Sequence, residues 1–89
     1  MPIRPEPGVT AVVLENGDLE LHSLHSGVRI SCGPVNTAMW LALRQHDGHL
    51  EAAADLLAAL WDLDPLYMRS DLDVWVGELG DAGLVRNEP

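Results

Sequence analysis

A chain of 89 residues with 14 acidic and 5 basic side chains, a formal charge of −9, makes a single domain that repels phosphate backbones and anionic lipid heads rather than recruiting them. At this length folding buries only about 60% of the unfolded chain's surface, which leaves no room for a second, catalytic lobe. The lone Cys32 rules out an internal disulfide, no stretch reaches the roughly 18 uninterrupted apolar residues of a membrane span, and the start has no signal-peptide core, so a cytoplasmic protein is expected.

Residues 1–8 hold three prolines and few apolar groups and are expected to form a loose, extended lead-in. From Val9 the apolar residues alternate in steps of two, the period of a strand with one face buried. A first strand over 9–14 closes at Glu15-Asn16-Gly17-Asp18, whose Asn-Gly pair is expected to supply the positive φ of a tight two-residue hairpin turn, and a return strand covers 19–24 with Leu19 and Leu21 facing inward. Ser26-Gly27 marks a second turn. Val28, Ile30 and Cys32 then alternate with Arg29 and Ser31 along a third strand, completing a meander.

At Cys32-Gly33-Pro34 the period changes to three and four, and it does not change back. Pro34 suits a first helical turn, with Asn36 an alternative cap, and Val35, Met39, Ala42 and Leu43 form an apolar face broadened by Trp40 and Leu41. Asp47-Gly48 ends this helix. A second follows with Leu50, Ala53, Ala54, Leu57, Leu60 and Trp61 on one stripe. Asp64-Pro65 opens a third, whose buried face carries Met68, Leu72, Trp75, Val76 and Leu79 until Gly83 stops it and Leu84 and Val85 fold back. The fold class is therefore α+β, a three-stranded antiparallel sheet followed by three helices in a winged-helix-like order, with one domain over 9–85 and a tail over 86–89.

Candidate chemistry is sparse. His22 and His25 fall on opposite strand faces and His46 and His49 are split by Gly48, so solvated histidines fit better than metal ligands. Cys32 has no neighbouring base and reads as a small core residue. The acids from Glu51 to Asp81 lie on the polar sides of amphipathic helices, the three tryptophans on or beside apolar stripes, and no glycine loop cradles phosphate. Gly77 and Gly80 inside the third helix cost about 1 kcal/mol each against alanine and suggest close packing or a weak last turn.

Three strands cannot close a barrel, so an open edge is left beside the last helix. A peptide could add a strand there by main-chain hydrogen bonds, with Val28, Ile30, Cys32, Met68, Leu72 and Val76 lining side-chain pockets. Arg29 and Arg69 either pair with carboxylates of such a peptide or merely offset local acids. The helical period allows either flank of the third helix to face the groove.

The order of three strands and three helices, the Ser26-Gly27 turn, Ala38-Met39-Trp40, Asp47-Gly48, Asp71-Leu72-Asp73-Val74-Trp75-Val76 and Gly83-Leu84-Val85 resemble the PqqD-like proteins over roughly residues 9–85. These are recognition elements for ribosomally made, modified peptides, and a free-standing form of this size is similar to the one that serves lasso-peptide pathways. The resemblance implies a noncatalytic protein without cofactor or metal that takes up the leader of a precursor peptide as an extra strand. The strand residues would be Val28, Arg29, Ile30, Ser31 and Cys32, and the helix residues Met68, Arg69, Leu72, Asp73 and Val76. It also implies partners: a leader peptidase of the transglutaminase-like cysteine protease type and an ATP-dependent cyclase, with no nucleic acid and no membrane. Two other classes fit less well. An acyl or peptidyl carrier is all helical and needs its phosphopantetheine serine in an Asp-Ser-Leu setting, whereas Ser70 precedes Asp71-Leu72 here, and a winged-helix DNA binder needs a basic recognition helix, whereas 66–82 carries Arg69 against four acids.

Overall fold

The computed structural model describes residues 2–88, which run β1 (Ile3–Pro5), β2 (Val9–Val13), β3 (Leu19–Ser23), β4 (Arg29–Cys32), α1 (Pro34–Gln45), α2 (Leu50–Trp61), α3 (Pro65–Asp81) and β5 (Val85–Asn87). β2, β3 and β4 form an antiparallel sheet in that order, and the three helices follow it, which is the α+β arrangement that the change of period implies. Leu19 and Leu21 on β3 are fully buried, and their cross-strand partners Cys32 and Ile30 on β4 share that inner face. Five strands leave the all-helical carrier without support.

The first hairpin turns on three residues rather than two. Only Gly17 enters the left-handed region, at φ 89°; its amide donates to the Leu14 carbonyl at 2.9 Å, and the Leu14 amide donates to the Asp18 carbonyl at 2.8 Å. That is a three-residue loop with a glycine bulge, in which Asn16 serves through its side chain, accepting from the Asp18 amide at 3.0 Å. The Gly17 carbonyl in turn accepts the buried Thr37 hydroxyl at 2.6 Å, which ties the hairpin tip to the first turn of α1. Pro34 opens α1 as expected, but Gly33 is the cap residue and Asn36 caps nothing.

Asp64 caps α3 by accepting the Leu66 amide at 2.8 Å, and the α3 face of Met68, Leu72, Trp75, Val76 and Leu79 is buried to the last residue predicted. The α2 stripe is shorter than its periodicity suggests. Ala58 takes a core place, while Leu60 stays 68% exposed and Trp61, in the last turn before the left-handed Asp62, stays 37% exposed. Val35 and Leu41 on α1 are likewise exposed, so the apolar face there narrows to Met39, Trp40, Ala42 and Leu43.

The lead-in is not loose. β1 pairs antiparallel with β5, Ile3 opposite Asn87 and Pro5 opposite Val85, and the expected tail becomes the second strand of this terminal ribbon. Met1 and Pro89, the outermost residues of lead-in and tail, lie outside the described residues. Pro5 falls where its missing N–H would face away from β5, because Glu6 donates to the Leu84 carbonyl and the register alternates. On the outer margin of β1 the Ile3 amide donates to the Gly48 carbonyl at 2.7 Å, and Arg4 donates from Nη1 to the Asp47 carboxylate and carbonyl, both at 2.8 Å. The Arg4 guanidinium holds the Asp47 carboxyl below its ordinary range.

Gly48 has φ 82°, and a β-carbon there would overlap the Ile3 carbonyl oxygen. Gly48→Ala therefore meets both a left-handed backbone and a backbone obstacle, and is expected to lower the unfolding free energy by more than about 2 kcal/mol in a urea titration. A loss below about 0.5 kcal/mol, the range of an ordinary surface change, would show that the ribbon yields instead of holding the turn.

Candidate functional site

β4 is an edge. It pairs with β3 on one side, and among the described residues its other margin pairs with no strand. Which of its backbone groups are free follows from the register. The Ser23 amide donates to the Val28 carbonyl at 2.8 Å, so the hydrogen-bonded partners alternate from there: Leu21 with Ile30, then Leu19 with Cys32. The N–H and C=O of Arg29 and Ser31 therefore point outward. Ile30 and Cys32 spend theirs on β3 and turn their side chains to the core face, whereas Arg29 and Ser31 carry theirs on the opposite face beside His22 and Glu20.

Across from this margin lies α3. An open groove of about 450 Å³ separates them, walled on one side by Ser31, Cys32 and Gly33 and on the other by Asp71, Val74, Trp75 and Glu78. Asn36 and Met39 of α1 close its floor, the Asn36 amide donating to the Met39 sulfur at 3.6 Å. Val74 is 60% exposed, an apolar side chain offered to the groove between two carboxylates.

The groove beside β4 takes in one flank of α3, and the helix residues named from the resemblance lie off it. Of the anticipated residues, Ser31 and Cys32 line the groove, and Arg29 and Ile30 belong to its strand; Val28 sits in the turn before β4, packed against the core. Met68 and Leu72 are 1% and 0% exposed and have no surface to offer. Arg69 makes a bidentate pair with Asp55 on α2, at 3.1 to 3.2 Å, and so faces away. Asp73 and Val76 line cavities on the other side of the helix, next to Ile3 and Asn87 of the ribbon. Asp71, Val74 and Glu78 were missed. The available signal was Val74, an apolar residue that falls off the buried stripe.

Burial is the main reason that the Cys32 thiol is pushed above its ordinary value; the Trp75 indole works against this, and the carboxylates of Asp18 and Glu78 add to it. Such a thiol is a poor nucleophile at neutral pH. Among the described residues no three His, Cys, Asp or Glu side chains come together as a metal site, and no helix is long and apolar enough to cross a membrane. The exposed surface of α3 carries Asp71, Asp73, Glu78 and Asp81, with its single arginine held by Asp55, which is the wrong sign for a duplex groove.

No known family profile matches the chain, and no curated protein does either. Solved structures do. The chain has the fold of TbiB1, seen in complex with the TbiA(beta) leader peptide, with a TM-score of 0.84 at 17% identity, over 97% of this chain and 98% of that one. It also has the fold of a lasso peptide synthetase B1 complexed with its leader peptide, with a TM-score of 0.78 at 19% identity, over 98% of this chain and all of the other. At such identities the likeness is one of fold.

Alkylation of Cys32 reports directly on this groove. At about pH 8 iodoacetamide is expected to react more slowly with the native chain than with the chain in urea, and the native rate should go on rising at pH values where the unfolded rate has levelled off. Equal rates in both states would place the thiol in open solvent.

Proposed function

We propose that this protein captures the leader segment of a ribosomally made precursor peptide as an added strand on β4, in the groove beside the Asp71, Val74, Trp75 and Glu78 flank of α3. The observation that carries the reading is the unpaired margin of Arg29 and Ser31 facing that flank across an open groove. The two proteins that share the fold over its whole length are each seen with a leader peptide, which supports the same role here. Main-chain hydrogen bonds to Arg29 and Ser31 would supply a sequence-tolerant grip, and the wall of Val74, Trp75 and Met39 would seat an apolar anchor.

The protein carries out no reaction of its own in this scheme. It presents the bound leader to a cysteine leader peptidase, after which an ATP-dependent cyclase closes the core peptide, as the resemblance to lasso-peptide recognition elements implies. Arg69 and Asp73, on the far flank, take no part in leader binding.

Calorimetry with the leader of a precursor encoded beside this protein tests the groove. Ser31→Pro removes an outward N–H and leaves the β3 ladder whole, so it is expected to weaken binding about tenfold or more, because a buried leader carbonyl loses its donor. Asp73→Asn is expected to bind like the parent. Should Ser31→Pro bind normally while Asp73→Asn does not, the peptide lies on the ribbon side of α3 instead.

A further inference from the structure

The groove has a sign. Asp71, Val74 and Glu78 are spaced three and four apart, so they form a single row along α3, with the positions of the two acids about 10 Å apart along the helix axis and the exposed Val74 between them. No residue lining the groove is basic. Neither carboxylate has a cationic partner among the described residues, although four of the five arginines do have acidic ones: Arg4 with Asp47, Arg29 with Glu20, Arg69 with Asp55, and Arg86 with Glu6 and Glu88. The molecule has paired four of its five cations elsewhere, and these two acids are among those left uncompensated, here beside a free strand margin.

We infer that the segment this groove takes carries lysine or arginine next to its apolar anchor, so that the cation lies against Asp71 or Glu78 while the anchor meets Val74 and Trp75. The inference rests on the strand-capture reading above and adds to it the chemical class of the guest. A strand advances about 3.3 Å per residue, so cations two to four positions apart can reach both carboxylates at once. An acidic segment would instead bring like charges into a partly desolvated groove, on a chain whose net charge of −9 already repels it. The two arginines that might have welcomed such a segment are unsuited to it: Arg69 is engaged on the far flank, and Arg29 lies on the outer face of the sheet, 3.9 Å from Glu20.

A random-sequence peptide library displayed on its encoding mRNA and selected on the purified protein tests this without knowledge of the natural precursor. The selected peptides are synthesised, checked for protection of Cys32 against alkylation, and titrated against the parent and the Asp71→Asn/Glu78→Gln double variant at low and high salt. Both substitutions are on exposed positions, and the circular dichroism of the variant is expected to match the parent. Cys32-protecting peptides are expected to be enriched in lysine or arginine beside an apolar residue, to bind the double variant about tenfold more weakly at low salt, and to lose that difference at high salt. Peptides that protect Cys32 yet show no basic enrichment, or bind the variant as well as the parent, overturn the charge assignment and leave strand capture standing. A selection that yields no Cys32-protecting peptide overturns strand capture, and this inference with it.

Discussion

The burial of Leu19 and Leu21 is the constraint on which the remainder depends. Among the described residues β3 is the only strand with both margins paired to strands, and its alternation of buried leucine with Glu20 and His22 allows a single register, because a slip of one residue would carry a carboxylate into the core. With β3 fixed, β4 is fixed as well, and so is the identity of the backbone groups it leaves unused. The helices settle on the leucine face, which brings α3 opposite the free margin. The groove is therefore a by-product of the core, placed by residues that do not line it.

Much of this was legible in the sequence because it is local. Alternation along β3 and β4, Asp64-Pro65 at a helix start and the 68, 72, 75, 76, 79 stripe are statements about neighbours in the chain, and each holds in the structure, whereas β2, also expected to bury one face, is exposed beyond Val9. The terminal ribbon was illegible for the opposite reason. Pairing Ile3 with Asn87 is a contact between the two ends of the described chain, and three prolines near the start argue locally for loose chain. Pro5 turns out to sit on the margin that needs no donor, and composition alone cannot show which margin that is.

Part of the groove was legible in the sequence: β4 reads as an open edge, but the flank of α3 that lies beside it does not follow from the pattern. Helical periodicity identifies the buried stripe of α3 but not which of the two exposed flanks meets the sheet, so Arg69 and Asp73 were as plausible as Asp71, Val74 and Glu78. Charge counting compounded this, since two arginines in an acidic chain invite the idea of an acidic guest. In the structure Arg69 is already engaged with Asp55, which removes one of the two arginines from that argument. A salt bridge between half-exposed side chains contributes little to stability, yet it keeps the one arginine of α3 away from the groove.

The shortness of β4 has its own consequence. Arg29 and Ser31 alone present outward backbone groups before Gly33 and Pro34 divert the chain into α1, so a guest strand can be held over only a brief stretch. If β4 takes a leader strand as proposed, a clasp this small would release it quickly once side-chain anchors let go, because affinity differences between related complexes reside mainly in dissociation. Release would then demand no melting of the holder.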